Sequence, residues 1–194
     1  MRCFLAVELP EGHKATVMAG LSRLKAALPP ARWVRPEGLH VTLKFLGEQE
    51  ERQVASLMEV LAELLAEAPP AVTVSLSGGG FFPNQSRPRV AWLGGTAPGL
   101  AQWAEAAEAA AEALGVPREG RPFALHVTLA RLERPWPPAA CQRFLEEVSS
   151  WRLAPFEVRD VVLFESVLQP SGAVYTAKAR VSPGGNESFG ASRR

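Results

Sequence analysis

Cysteine and histidine are scarce in this chain of 194 residues, with two and three copies respectively, and Asp160 is the sole aspartate. Cys3 and Cys141 are too few for a disulfide framework and do not stand in CxxC spacing, so buried or inert thiols are expected. No apolar run is long enough to span a bilayer. The stretch Met1–Glu8 meets an acidic residue too early for a secretion signal, and a cytoplasmic protein is expected. Net charge is also close to absent, at +1. That balance argues against a protein that coats nucleic acid uniformly, while a local cluster drawn from its arginines would not show in the sum. What is present is ordinary for a globular chain: 47% hydrophobic and 21% charged residues, at a length suited to a single compact unit.

Along the chain, strand and helix patterns alternate. Cys3 to Leu9 reads as a strand closed by Pro10. A helix follows from about His13 to Ala27, with Val17, Leu21, Leu24 and Leu28 at helical spacing, and Pro29-Pro30 ends it. Trp33 to Gly38 reads as a turn-like lead-in. A second helix is expected over about Glu50 to Ala66, with Val54, Leu57, Met58, Leu61, Leu64 and Leu65 on one stripe. Val72 to Leu76 reads as a strand, Gly78-Gly79-Gly80 as a bend or bulge, and Arg89 to Leu93 as the next strand. A third helix spans about Leu100 to Leu114 and a fourth Pro138 to Ser149. Phe156 to Glu165 reads as one strand, joined through Gln169-Pro170-Ser171-Gly172 to another over Ala173 to Arg180.

One phrase occurs twice. His40-Val41-Thr42-Leu43 and His126-Val127-Thr128-Leu129 are identical and lie in extended runs, so in each copy the histidine and the threonine share one face of a strand. Motif strand, helix and two further strands follow in each half, as an internal duplication would produce. The expected fold is therefore α+β: two pseudo-symmetric lobes, each an antiparallel sheet flanked by helices, with a central cleft, in a single domain over 1–181. Residues 182–194 have the composition of a disordered tail.

A lone histidine on a strand is most simply a packed strand residue; the duplicate changes that reading. Neither His40 nor His126 has a further His or Cys at ligand spacing, which disfavours a metal site. The serine-hydrolase signature Gly-x-Ser-x-Gly is missing. Paired imidazoles without metal suit general acid–base chemistry, because they titrate near neutrality. Displacement at phosphorus uses such a pair well: one takes a proton from water while the other gives one to the leaving oxygen, and Thr42 and Thr128 donate to the non-bridging oxygens. Spacing does not say which histidine does which. His13 has no catalytic partner in sequence and reads as a partly packed surface residue.

The doubled phrase resembles the two H-x-[ST]-x signatures of the two-histidine phosphoesterase superfamily. The likeness extends through Arg2–Pro10, Leu39–Glu48, Gly80–Pro83, Trp92-Leu93-Gly94, Leu163–Ser166 and Gly172–Tyr175, and is similar to the RNA 2′,3′-cyclic phosphodiesterase branch, also called 2′-5′ RNA ligases. The resemblance implies hydrolysis of a terminal 2′,3′-cyclic phosphate on RNA to a 2′-phosphomonoester, without metal; no cofactor and a monomer are expected. It implies His40 as proton donor and His126 as proton acceptor, with Thr42, Thr128, Arg131 and Tyr175 binding substrate. Leu125 stands where the branch often has proline, which touches strand entry and not the proton chemistry. Three readings remain beside this one: action on small cyclic nucleotides, ligation in reverse, and an RNA-end binding module whose Phe81, Phe82 and Trp92 stack on bases without turnover.

Overall fold

The computed structural model describes residues 1–184. Nine strands and four helices alternate along them: β1 (Arg2–Glu8), α1 (Glu11–Ala27), β2 (Ala31–Trp33), β3 (His40–Glu48), α2 (Glu51–Leu65), β4 (Val72–Phe82), β5 (Val90–Thr96), α3 (Leu100–Glu112), β6 (Val127–Leu132), α4 (Pro138–Ser150), β7 (Phe156–Val158), β8 (Val161–Gln169) and β9 (Gly172–Val181). A 3-10 turn, Pro36–Gly38, leads into β3. The strands form two sheets, ordered β3-β1-β8-β9 and β2-β6-β5-β4-β7, with antiparallel neighbours throughout. The architecture is the expected α+β arrangement.

Each sheet is two-faced. On β1, Cys3, Leu5 and Val7 enter the main core, whereas Phe4 and Ala6 belong to a separate small cluster with Val162 and Phe164 on the other face. Helices cover the core faces: α2 and α3 pack together on the first sheet, and α4 lies on β4 of the second with α1 beside it. Gly20 allows that α1–α4 contact, since a Cβ there would run into the indole of Trp151. The helix stripes fall where the spacing predicts, with Val17, Leu21 and Leu24 buried on α1 and Val54, Leu57, Met58, Leu61 and Leu65 on α2. Leu64, expected in that stripe, is exposed: it lies outside the arc that faces α3.

The strand connectivity differs from a simple lobe-per-half plan. β1-α1-β3-α2-β4 matches β5-α3-β6-α4-β8 element for element, and the first sheet holds β3, β1 and β8 while the second holds β6, β5 and β4. Each half thus lends its third strand to the other half's sheet. For the same reason Phe156 to Glu165 is not one strand. The chain leaves the second sheet after Val158 and enters the first at Val161, crossing between sheets at Arg159-Asp160. β4 continues through the glycines to Phe82 with a register jump between Leu76 and Gly79, which is the bulge read from the triplet. The lead-in before β3 holds the short edge strand β2, which the sequence reading passes over. Residues 185–194 of the expected tail lie outside the described residues; within 182–184, the Ser182 hydroxyl donates to the Asp160 carboxylate at 2.5 Å.

Candidate active site

Both copies of the phrase bend at the same residue. Across β3 the pairing passes from Thr42↔Ala6 to Lys44↔Leu5, leaving Leu43 as an extra residue. Across β6 it passes from Thr128↔Trp92 to Ala130↔Ala91, leaving Leu129 extra. The fourth position of each phrase is therefore a β-bulge that turns a buried leucine inward. His-x-Thr stays on the open face in both lobes. His40 opens β3, and His126 stands immediately before β6, one residue short of the strand in which it is expected.

In the first lobe His40 sits in an aromatic cradle. Its ring stacks on Phe4 at 4.8 Å, lies 5.8 Å from Phe164, and meets Tyr175 edge-on at 5.7 Å. Its Nδ1 is buried and has no hydrogen-bond partner among the described residues. Burial lowers its pKa to about 4, helped by the positive charges of Lys14 and His126. Lys14 and His126 are both near enough for their charge to act on His40, and β3 and β6 touch across the two sheets. A hollow of about 230 Å³ opens beside His40, lined by Lys14, Glu8, Glu37, Phe164 and Tyr175 among others. His126 does not line that hollow; it stands just ahead of β6, in the other sheet.

In the second lobe the imidazole is held by a hydrogen bond. With Nδ1–H donating to the Ala124 carbonyl at 3.0 Å, Nε2 carries the free lone pair when the ring is neutral. Phe82 meets His126 edge-on at 4.9 Å and lies 5.2 Å from Trp92, whose ring covers Gly80 so closely that any Cβ there would clash. The aromatic trio named from sequence therefore divides: Phe82 meets His126 with Trp92 packed on Phe82, and Phe81 packs in the core against Phe144. Thr42 and Thr128 are half-buried, and their hydroxyls make no hydrogen bond among the described residues, so both are free for a ligand. Arg131 is exposed on β6, three residues beyond Thr128.

Several contributors were not legible in the sequence. Lys14 reads as a solvated residue of a helix's first turn, yet its side chain is only 16% exposed and reaches the hollow. Phe4, Glu8 and Glu37 line or floor the site with no motif to mark them. Lys44 is 3% exposed and donates to Glu108 at 3.0 Å and to the Pro117 carbonyl at 2.7 Å, tying the bulged β3 to α3 and to the segment that leads to His126. His13 is a structural residue, with Nε2 2.6 Å from the Ala154 carbonyl and its ring edge-on to Phe156. Both cysteines are free and buried. No three His, Cys, Asp or Glu side chains gather as a metal would need among the described residues, and no helix there is long and apolar enough to cross a membrane.

Comparison with known proteins agrees with this geometry. The family described as LigT like Phosphoesterase matches residues 7–92 and 94–175. The chain is 34% identical over 176 residues to an RNA 2′,3′-cyclic phosphodiesterase of Archaeoglobus fulgidus, covering 90% of this chain and 96% of that protein. It is 34% identical over 190 residues to one of Thermus thermophilus, covering 94% and 90%. Among solved structures, the Thermus thermophilus protein TT0787 superposes with a TM-score of 0.74 at 30% identity, over 96% of this chain and 100% of that one. Escherichia coli LigT complexed with 3′-AMP gives 0.69 at 26% identity, over 93% and 97%. With the family matched across both halves and both His-x-Thr units inside the matched residues, the chain belongs to the LigT-like phosphoesterases.

Proposed function

We propose that the protein hydrolyses the 2′,3′-cyclic phosphate at an RNA end to a 2′-phosphomonoester, without metal, by proton transfer through His40 and His126. One observation supports the reading: two identical His-x-Thr units are bulged at the same leucine, on strands that touch across the two sheets, and their threonine hydroxyls make no hydrogen bond among the described residues. Water attacks phosphorus and gives its proton to one imidazole; the P–O3′ bond breaks, and O3′ receives a proton from the other. Thr42 and Thr128 donate to the non-bridging oxygens, where negative charge grows. The free Nε2 of His126 suits the acceptor of the water proton. His40 then serves as donor: burial, with the charges of Lys14 and His126, holds its pKa low in the free protein, and the approaching phosphate anion favours its protonated form. Arg131 and Tyr175 contact the substrate. The two matching halves descend from one duplicated unit within a single domain, and the protein acts as a cytoplasmic monomer.

Product analysis tests this. Incubated in chelator with RNA ending in a 2′,3′-cyclic phosphate, the protein yields a 2′-phosphate and a free 3′-hydroxyl. RNA bound but left intact favours a binding module; turnover confined to cyclic mononucleotides favours a small-molecule enzyme; activity that returns only with added metal refutes the proton mechanism.

A further inference from the structure

The open face of the second sheet carries an unusual cross-strand pair. Arg32 on β2 stands directly opposite Arg131 on β6. Directly opposed residues of antiparallel strands point to one face, with Cβ atoms about 5 Å apart, and like charges placed so are destabilising. The neighbouring row shows which face. Trp33 and Ala130, the next pair, look inward, Ala130 fully buried and Trp33 against the buried Trp136. Arg32 and Arg131 therefore look outward, on the side that carries Thr128 and Trp92. Val90 and Phe82 extend their row across the sheet, and Phe82 touches His126. Among the described residues neither arginine makes an ion pair or a side-chain hydrogen bond. Two arginine side chains thus leave directly opposed backbone positions on one face of the sheet, with no acidic partner among the described residues to offset their like charge.

From this pairing we infer that Arg32, together with Arg131, seats a backbone phosphate of the RNA upstream of the cyclic end, which makes Arg32 a determinant of preference for oligomers over mononucleotides. The inference rests on the activity proposed above. A strand rises about 3.3 Å per residue, so the pair lies up to about 10 Å beyond Thr128, a span of one or two nucleotides from the phosphorus under attack. Paired guanidinium forks match the geometry of a phosphodiester's two free oxygens, and the bound anion relieves the repulsion between them. Phe82 and Trp92, half-exposed in the same face, offer rings to the intervening base. The competing explanation is that Arg32 merely guards an edge strand, since β2 lies at the sheet's margin and charge there discourages pairing with other chains.

Binding measurements separate these explanations without relying on turnover. Fluorescence anisotropy with a short RNA oligomer ending in a 2′-phosphate is compared with calorimetry on the matching nucleoside 2′-monophosphate. Arg32→Ala weakens the oligomer about tenfold, at least fivefold more than the mononucleotide, and makes the salt dependence of oligomer binding shallower by about 0.7 in log–log slope. Arg32→Lys restores most of that slope, because the charge returns. In steady state Arg32→Ala raises KM for the oligomer more than it lowers kcat. Equal losses for both ligands, or no loss for the oligomer, would overturn the inference and leave edge protection as the role. Arg32-dependent binding by a protein that leaves cyclic-ended RNA intact would uphold the phosphate seat while sinking the proposed activity.

Discussion

The two halves of the cleft share a frame and differ in what surrounds it. In each, a histidine and a threonine precede a leucine bulge, and the two strands next in line supply aromatic rings: Phe4 and Phe164 beside His40, and Phe82 beside His126 with Trp92 against Phe82. Beyond the bulge the halves part. The first has Lys44 buried and Phe45 out on the open face, 59% exposed; the second has Ala130 buried and Arg131 outside. One imidazole is desolvated on apolar rings, and the other is held by a backbone carbonyl. Repetition fixes where the two histidines stand on their strands, and the unrepeated neighbours give them unequal surroundings.

The sharpest way to break that inequality is to remove each histidine in turn. His40→Ala and His126→Ala should each lower turnover by about a hundredfold or more, the scale of a lost general acid or base. A substrate with sulfur in place of the 3′ leaving oxygen separates the roles, since a thiolate departs without a proton. With it, His40→Ala should recover most of its rate and His126→Ala should not; the opposite pattern would exchange their assignments.

Stability probes the Lys44 and Ala130 difference. Lys44→Met leaves Glu108 and the Pro117 carbonyl without their cation and should cost about 3 kcal/mol in denaturant unfolding, whereas Lys44→Met with Glu108→Leu should recover part of it. A loss below about 1 kcal/mol in the single variant would mean that the buried pair contributes little. Thr42→Val and Thr128→Val come next, each expected to cost tens of fold in kcat with KM nearly unmoved, roughly 2 kcal/mol apiece. Unequal losses would show which side of the phosphorus carries more charge.

The smallest effect is on pH. With the His40 pKa near 4, the acid limb of kcat/KM should rise through about pH 4, whichever histidine gives the proton. Lys14→Gln removes one of the charges that depress it and should move that limb to higher pH; an unmoved limb would exclude Lys14. Stability follows the same sign. Between about pH 6.5 and pH 4 an unfolded histidine takes up a proton that folded His40 refuses, so stability falls as pH falls across this window. His40→Gln should flatten that slope.

The helices and most strands were legible because period and breakers are local: the α2 stripe, Pro10 and Pro29-Pro30, and the doubled phrase are all read within a few residues. The features that differentiate the halves depend on partners distant in sequence. Strict alternation places Lys44 on the face of His40 and Thr42, and only the pairing with β1 reveals that Leu43 is extra and Lys44 turns inward. The division of 156–165 into β7 and β8 likewise depends on which sheet has a vacant edge. Lys14 belongs to a helix whose own pattern is satisfied without it; only the placement of α1 brings its ammonium to His40.

The exchange of third strands has a consequence for synthesis on the ribosome. The second sheet has all five strands once Val158 has emerged, but in the first, β1 leaves one edge unpaired until Val161–Gln169 arrives. The nascent chain therefore carries an open template for mispairing across nearly its whole translation. A stall or truncation before residue 161 would leave the His40 lobe incomplete while the His126 lobe already had its full set of strands.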